Sequence, residues 1–410
     1  MRSLQVPAGI APRIGGPAVA VLDAAQWLPK AGVETTIFAP DLAVGAQAKK
    51  RFVLQPSELP AAARDLDVRL FPTRWPTRLI FSPSLYAALG RELASFDIVH
   101  THSLWTFPQY AVYRQAERHR VPYVVAPCGA LDPWLRRNSP RVKAVTTRVW
   151  QRDMLNRAAV IQYKTRDEAD RARELGITAP VEIVPNGIDW GAFQDLPDGR
   201  EFRDAHLGGH EGPVVMNLGR IEERKRLDVL ISAFARVRMR VDDVKLAIVG
   251  PDDVGTGADL VALADELGVR EHVVFTGVLR GRDKLAALAG ADIWCLPSHF
   301  ENFGLAVVEA MAAGVATVIS PEVQISEEAR AAGAALVPEI TTDRLADTLA
   351  SILLDDELRA QLVRGGREFA RGYDWSVVAP QIAEMYATAV RRHGQAARAR
   401  GGRHARRSAA

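Results

Sequence analysis

A chain of 410 residues is long for one domain and natural for two, each of which can bury its own hydrophobic core. Hydrophobic residues make up 48% of the chain and charged residues 25%, which is typical of a globular protein. No apolar run approaches the roughly 20 residues that span a bilayer, and the N-terminus lacks the apolar segment of a secretory signal. We therefore expect a cytoplasmic protein.

The net charge of +3 is unevenly distributed. Residues 391–410 contain seven arginines and no acidic residue, so 45 basic and 49 acidic residues remain in the rest of the chain. We expect residues 393–410 to form a disordered basic tail. Such a tail either keeps the protein soluble or contacts the anionic inner face of the membrane, at about 1 kcal/mol per basic residue near the surface. No specific binding to nucleic acid is expected.

The sequence does not predict a disulfide or a metal site. Cys128 and Cys295 are the only cysteines, and no CxxC or His/Cys cluster has the spacing of metal ligands. His100 and His102 are two residues apart, which would place both rings on one face of a strand. That geometry suits a metal as well as packing, but no carboxylate or third histidine lies nearby in sequence, so we predict no metal.

Strands and helices alternate along the chain, which predicts parallel sheets covered by helices on both faces. The early part is a short strand over 4–6, a loop rich in proline and glycine, a helix over 18–30 and a strand over 33–39. Prolines interrupt residues 40–95, which are the hardest to assign. The remaining predicted strands are 96–100, 121–126, 160–164, 181–184, 213–218, 245–249, 273–276, 293–296 and 315–319, and the remaining clear helices are 141–158, 165–175, 226–237 and 377–391.

Residues 298–314 carry the strongest signal for a binding site. They follow the apolar strand 293–296 and run as a loop into an alanine-rich helix that begins at Leu305 and ends at Gly314. The start of such a helix has unpaired N–H groups and a dipole that favours an anion, so a phosphate fits there. The amides of this site would come from Asn302, Phe303 and Gly304.

Glu301 and Glu309 flank the start of this helix. They are about two helical turns apart, so both can border one cleft and accept hydrogen bonds from sugar hydroxyls. A bare pair of glutamates is more often a solvated helix face. The loop sequence between them favours the binding site.

Further candidates follow other predicted strands. Ligands of open parallel sheets bind at the carboxyl ends of the strands, which is where Gly219, Arg220 and Lys225 fall. A run of cations is by itself typical of a solvated surface, but its position after a strand favours a ligand site. Gly250 also follows a strand. Gly15 and Gly16 precede the first helix, where glycine lets the backbone approach a ligand closely.

These motifs resemble glycosyltransferase family 4. The resemblance covers roughly residues 1–392 and rests on the loop with Pro12, Gly15, Gly16 and Pro17, on Asp97-x-Val99-His100-x-His102, on the signature over 219–226, and on Glu301 with Glu309 eight positions later. It implies the α/β GT-B fold, in which two Rossmann-like domains have parallel sheets facing a central cleft.

The resemblance also implies where the domains lie. An N-terminal acceptor-binding domain would span residues 1–186, and a C-terminal domain that binds the nucleotide-sugar would span 187–375. The turn Pro185-Asn186-Gly187 matches the segment between the domains in this family. A terminal helix, about 376–392, would pack back on the first domain, and the basic tail 393–410 would follow.

The function implied by the resemblance is that of a retaining, metal-independent glycosyltransferase. It would move a hexose-like sugar from a UDP- or GDP-sugar to an acceptor hydroxyl in polysaccharide or glycolipid assembly. The nucleotide-sugar is a substrate, so no cofactor is expected, and the acceptor is a saccharide, a lipid-linked molecule or a small molecule. The alternatives are transfer to a small-molecule metabolite and a non-catalytic protein that binds sugar nucleotides. The GT-B fold also supports nucleotide-sugar epimerisation and phosphorolysis.

By the same resemblance, Arg220 and Lys225 stabilise the departing diphosphate, and Glu301 holds the donor sugar. The residues expected to bind the donor are Gly16, Gly219, Gly250, Asn302, Phe303, Gly304, Leu305 and Glu309. Those expected at the acceptor site or in the cleft are Gly15, His102, Cys128 and Gly129. Many relatives have a histidine with a role at the reacting sugar where this chain has Cys128, and a thiol is a weaker hydrogen bonder.

Overall fold

The computed structural model describes residues 1–11, 15–43, 52–54, 59, 63–133 and 140–407, with the backbone alone for 42–43, 52–53, 140 and 396–407. Pro12, which belongs to one of the motifs above, lies outside the described residues. Within the described ranges the chain divides into two units. The first comprises residues 1–187 and 375–407, and the second comprises Ile188–Asp374. The first boundary falls one residue from the predicted position.

The first unit is built on a seven-stranded sheet in which all neighbouring strands are parallel. The strand order is β5-β2-β1-β6-β7-β8-β9, and β3 and β4 form a separate antiparallel pair. The strands are β1 (Arg2–Val6), β2 (Glu34–Pro40), β3 (Leu42–Ala43), β4 (Phe52–Val53), β5 (Asp67–Phe71), β6 (Ile98–His102), β7 (Tyr123–Ala126), β8 (Val160–Tyr163) and β9 (Val181–Ile183).

Helices cover both faces of this sheet because successive strand residues point to opposite sides and both sides are apolar. Leu4, Val99 and Val125 contribute to the core on one face, and Val124 and Val160 to the core on the other. The helices are α1 (Gly16–Trp27), α2 (Pro83–Glu92), α3 (Phe107–His119), α4 (Pro140–Thr146), α5 (Arg152–Arg157) and α6 (Arg166–Glu174). A π-helical turn, Thr147–Gln151, joins α4 to α5, so the single helix predicted over 141–158 is helical throughout but irregular.

The second unit contains a five-stranded parallel sheet with the order β12-β11-β10-β13-β14. Its strands are β10 (Val214–Leu218), β11 (Lys245–Val249), β12 (Val273–Gly277), β13 (Ile293–Leu296) and β14 (Ala316–Ile319). Its helices are α7 (Gly199–Leu207), α8 (Leu227–Val237), α9 (Gly257–Glu266), α10 (Gly281–Ala289), α11 (Leu305–Ala312), α12 (Ser326–Ala331), α13 (Thr342–Leu354) and α14 (Asp356–Arg371). The central strands are buried on both faces, so each unit has its own core.

The last helix, α15 (Trp375–Arg407), packs on the sheet of the first unit. The Tyr386 hydroxyl accepts a hydrogen bond from the Gln5 amide at 2.7 Å and lies 2.8 Å from Nδ1 of His100. The helix does not end near residue 392 as predicted. Alanine and arginine dominate residues 396–400, and both are strong helix formers. The backbone of residues 393–407, expected to be disordered, is therefore helical in the structure.

No helix among the described residues has the length and apolar character needed to cross a membrane.

The start of α15 is fixed by a contact that only glycine allows. Gly187 lies against the buried ring of Trp375, and a Cβ at residue 187 would overlap the indole atoms. We therefore expect Gly187→Ala to destabilise the first unit by about 1–3 kcal/mol, the usual cost of overpacking a core. Urea denaturation followed by tryptophan fluorescence measures this loss.

The matched control is Gly394→Ala on the same helix. A Cβ at residue 394 meets no atom within 4 Å, and alanine is the better helix former. A midpoint for Gly187→Ala equal to that of Gly394→Ala would contradict this account of the contact.

Candidate active site

The carboxyl ends of β10 and β11 meet through glycine backbone. The Gly219 N–H donates to the Val249 carbonyl at 2.9 Å. Gly250 has φ +149°, and a Cβ there would overlap the Gly219 carbonyl. Glycine is therefore needed at position 250, whereas a Cβ at Gly219 would meet only Lys225 Cε and Nζ, at 3.8 and 3.9 Å. This contact places Arg220, the residue after Gly219, at the edge of the sheet.

Lys225 and Glu301 form an ion pair next to this edge. A short 3₁₀ turn, Glu223–Lys225, presents Lys225, which is 8% exposed, and the Glu301 side chain is 19% exposed. Burial alone would raise the pKa of the Glu301 carboxyl, but the charges of Lys225 and Arg224 outweigh it and hold that pKa below its usual value. Glu301 is therefore a carboxylate at neutral pH.

The segments 219–226 and 298–314 are also connected by hydrogen bonds to the backbone. The Arg224 carbonyl accepts hydrogen bonds from the His299 N–H at 2.8 Å and from the Ser298 hydroxyl at 2.9 Å. The Arg224 side chain forms an ion pair with Glu222 at 2.7 Å. These bonds fix the position of Lys225 relative to Glu301.

Arg220 is more accessible than Lys225. Its guanidinium lies 3.7 Å from Glu222, and its side chain is 30% exposed. A guanidinium of this kind presents several N–H donors in a plane that matches phosphate oxygens. Arg220 and Lys225 thus place two cations at one sheet edge, one partly exposed and one largely buried.

The start of α11 has the features of an anion site. Gly304, which precedes the helix, has φ +76°, and a Cβ there would lie 2.8 Å from Val307 Cγ2, so only glycine fits without strain. No side chain caps this end of the helix, although Val307 N–H donates to the Gly304 carbonyl at 2.8 Å. The Oδ1 atom of Asn302 is buried and has no partner among the described residues. These free polar groups are the ones a phosphate or sugar hydroxyl would use.

Two of the predicted donor residues have a packing role. The Phe303 side chain is buried in the core of the second unit, so only its backbone is available to a ligand. Leu305 is half-buried and packs against the same core.

Glu309 is paired with a lysine that the sequence reading missed. Lys284 on α10 donates to Glu309 at 2.9 Å, and the Glu309 side chain is largely buried. Lys284 stands in a charged stretch, Arg280–Lys284, that is typical of a solvated helix start, so nothing in the sequence marks it as a partner. Each glutamate of the motif therefore has a lysine counter-ion.

In the first unit, Gly15 and Gly16 begin α1. Gly15 has φ +83°, and its carbonyl accepts from the Ala18 N–H at 3.0 Å. A Cβ at Gly16 would meet no atom within 4 Å. Packing within the chain therefore does not require glycine at position 16.

His102, Cys128 and Gly129 lie together at the carboxyl ends of β6 and β7. His102 is paired with the Gln5 amide oxygen at 2.9 Å, and burial, followed by the charge of Lys164, lowers its pKa to about 3. Burial raises the pKa of the Cys128 thiol to about 11. Both groups are therefore uncharged at neutral pH.

The Gly129 N–H donates to the Glu168 carboxylate at 2.7 Å. Cys128 has φ +54° and Gly129 φ +76°, so the loop after β7 turns sharply. Glu168 and the nearby Lys164 were not identified from the sequence.

No group of three or more His, Cys, Asp or Glu side chains in the described part of the chain is arranged to hold a metal ion. The His100 and His102 rings do lie on one strand face, with centroids 4.1 Å apart.

Comparison with known families matches both units. Residues 198–369 match the model described as glycosyl transferases group 1, and residues 15–187 match the one described as a glycosyl transferase 4-like domain. This chain belongs to the group 1 glycosyltransferases. The resemblance to glycosyltransferase family 4 is thereby confirmed.

Curated relatives of this glycosyltransferase act on inositol compounds, according to their names. The phosphatidyl-myo-inositol mannosyltransferase of Mycobacterium leprae is 31% identical over 331 residues, which cover 76% of this chain and 79% of the relative. The D-inositol 3-phosphate glycosyltransferase of Corynebacterium glutamicum is 27% identical over 328 residues, covering 77% and 78% respectively.

Among solved structures, the glycosyltransferase is similar to HepE of Anabaena, crystallised with UDP and glucose. The TM-score is 0.77, with 20% sequence identity over 95% of this chain and 100% of that one. At this identity the likeness concerns the fold, and it confirms the predicted GT-B class.

The pair of Lys225 and Glu301 gives a pH-dependent prediction. Because the folded-state pKa of Glu301 lies below its usual value, the ionised carboxylate stabilises the folded glycosyltransferase above the ordinary carboxylate range. This contribution is lost as the pH falls through the lowered pKa. Glu301→Gln leaves Lys225 without a counter-charge, so we expect a loss of about 3 kcal/mol at pH 7. Thermal unfolding from pH 7 to pH 3 should show the difference from wild type closing in acid.

Glu384→Gln is the control, because Glu384 is an exposed carboxylate paired with Arg391. We expect its melting temperature to follow the wild type at every pH. If Glu301→Gln behaved in the same way, the pair would not stabilise the fold.

Proposed function

We propose that this glycosyltransferase moves a sugar from a nucleoside diphosphate donor to an acceptor hydroxyl on a glycolipid precursor, with retention of anomeric configuration. The observation that carries the proposal is the arrangement of Lys225, Glu301 and the uncapped start of α11 at one sheet edge. A paired cation, a carboxylate and free helix amides suit a diphosphate attached to a sugar. The donor sugar is of the hexose type, and the base of the nucleoside diphosphate is uracil or guanine.

The hard step in this reaction is the departure of the diphosphate. Negative charge grows on that leaving group while positive charge develops on the sugar, so fixed cations near the phosphates lower the barrier. Arg220 and Lys225 fill this role in the proposal. Glu301 and Glu309 accept hydrogen bonds from the donor, Glu301 from the sugar and Glu309 from the ribose.

The lysine partners suggest how the glutamates are used. Each carboxylate has several acceptor positions, so a lysine that takes one of them holds the carboxylate in place while leaving others for hydroxyl groups. Lys284 takes one acceptor position of Glu309 in this way, so the other positions remain for the donor. Lys225 holds Glu301 in the same way, and its charge also stabilises the departing diphosphate.

The reaction needs no resident metal or cofactor in this proposal, because the charge of the leaving group is met by side chains and amides. Transfer takes place in the cytoplasm, with the enzyme peripheral to the inner face of the membrane, where a lipid-linked acceptor is found. The basic residues near the C-terminus favour contact with anionic lipid.

The second candidate function is transfer to a small-molecule acceptor. It is favoured by the relative named as a D-inositol 3-phosphate glycosyltransferase, which is covered over 78% of its length. Product analysis with lipid-linked and water-soluble acceptors separates the two candidates.

Binding of the donor gives the first test of the proposal. A ligand present at 100 times its dissociation constant stabilises the folded state by about 2.7 kcal/mol, which a thermal-shift assay detects. We expect UDP or GDP to raise the melting temperature of the wild type and to lose this effect in Glu309→Ala. ADP serves as the nucleotide control. A screen in which UDP, GDP and ADP all leave the melting temperature unchanged would count against a donor site.

Turnover gives the second test. We expect Lys225→Ala to lower kcat by roughly 10²–10³-fold. This corresponds to a loss of about 3–4 kcal/mol of transition-state stabilisation, as for the loss of other electrostatic donors. Release of nucleoside diphosphate in the presence of acceptor measures this. The control is Arg240→Gln, which removes an exposed cation paired with Asp347 in the same unit. Wild-type turnover in Lys225→Ala would reject the role of this lysine, and absence of turnover in the wild type would favour a non-catalytic binding protein.

A further inference from the structure

A buried cation without a close carboxylate lies at the end of β8 in the first unit. Lys164 directly follows Tyr163, the last residue of the strand, and is 9% exposed. Among the described residues no carboxylate oxygen lies within 4.0 Å of its ammonium nitrogen. Burial lowers the pKa of Lys164, and the charge of Glu168 opposes this effect without cancelling it.

The nearest acid, Glu168, is held by backbone groups. Its two carboxylate oxygens accept hydrogen bonds from the Gly129 N–H at 2.7 Å and from the backbone N–H of Lys164 at 2.9 Å. The carboxylate thus fixes the loops after β7 and β8 instead of neutralising the ammonium directly. A buried ion costs several kcal/mol unless it is compensated, so this arrangement calls for a further anion.

A second unpaired group lies on β6 of the same sheet, within range of the charge of Lys164. The charge of Lys164 lowers the pKa values of both His100 and His102, after the larger effect of burial on each. His100 is 3% exposed, and its Nε2 atom has no partner in the described part of the chain.

The hydrogen bonds of Tyr386 determine which nitrogen of His100 carries the proton. The Tyr386 hydroxyl accepts from the Gln5 amide and has no acceptor other than Nδ1 of His100 among the described residues, so we assign its proton to the bond with Nδ1. Neutral His100 therefore carries its proton on Nε2, as a donor without an acceptor. Within the described ranges, a largely buried lysine without an ion pair therefore follows β8, and a buried N–H without an acceptor lies on β6 of the same sheet.

We propose that Lys164, with His100 beside it, forms a subsite for a carboxylate or phosphate carried by one of the two substrates. The proposal rests on the proposed function and narrows its substrate class to an acidic sugar on the donor or a charged acceptor. Cys128 supports this reading. A neutral thiol next to Lys164 adds no charge that would compete with the ligand, and it takes less space than an imidazole.

Isothermal titration calorimetry on the full chain tests the subsite with two pairs of probes. Glucuronate and glucose represent the donor sugar, and myo-inositol 1-phosphate and myo-inositol represent the acceptor. We expect the charged member of one pair to bind at least about tenfold more tightly than its neutral counterpart, since a hydrogen bond to a charged group is worth that much. The pair that shows the difference identifies which substrate carries the anion.

Substitutions assign the effect to Lys164. Lys164→Met keeps the length of the side chain without its charge, so the preference for the charged probe should disappear, while Lys164→Arg should retain part of it. Lys30→Met, which removes an exposed lysine of the same unit, should leave the preference unchanged. UDP and GDP are titrated into the same samples, because nucleotide binding tests the proposed function separately.

The outcomes are distinct. Nucleotide binding that is equal in the wild type and Lys164→Met, together with equal affinity for charged and neutral probes, would overturn the subsite and leave the proposed function standing. Charge preference that depends on Lys164 without any nucleotide binding would support the subsite and count against the proposed function. The comparison of charged and neutral probes uses the wild-type chain, so it decides the question even if Lys164→Met does not fold.

Discussion

The ion pair between Lys225 and Glu301 is the interaction on which the candidate site depends. Both side chains are largely removed from water, and neither would be tolerated there alone, because an unpaired buried charge costs several kcal/mol. The pair is possible because the backbone after β10 bonds to the backbone after β13 through the Arg224 carbonyl. A parallel sheet brings such loops to one edge, so strand order and site geometry follow from the same constraint.

The two units solve the problem of polar groups at a sheet edge differently. In the second unit the charges are matched, with Glu301 and Glu309 each facing a lysine. In the first unit the corresponding edge carries a neutral chain of hydrogen bonds from His102 through Gln5 and Tyr386 to His100. Tyr386 comes from the C-terminal helix, so the last segment of the chain completes this network. Loss of that helix would leave two buried polar side chains without their shared partner.

Much of the architecture could be predicted from the sequence, and the reasons are physical. Strands buried on both faces are short continuous apolar runs, and two of them, β11 and β13, begin and end at the predicted residues. Their order along the chain also predicts the parallel sheets. Residues 40–95 were less readable because prolines obscure the pattern, and helix α2 was missed there. The predicted end of α15 was wrong because the stretch after residue 392 is rich in alanine and arginine, which favour a continued helix.

The site was readable where motif and backbone coincide, as at Gly250 and Gly304, whose positive φ angles explain the need for glycine. It was unreadable where a partner comes from a distant part of the chain. Lys284 and Lys164 look like ordinary lysines in sequence, because only the fold decides that the ammonium of one bonds to a glutamate and that the other is largely buried without an ion pair among the described residues.

The groups at the edge of the first sheet bear on the kind of chemistry that can occur there. His102 has its pKa lowered to about 3 and the Cys128 thiol has its pKa raised to about 11, so neither changes protonation near neutral pH. A group whose pKa lies so far from the working pH is a poor general acid or base. These residues are suited to positioning a substrate through hydrogen bonds. In the proposed reaction, acceleration comes mainly from electrostatic stabilisation of the leaving group by the cations that follow β10.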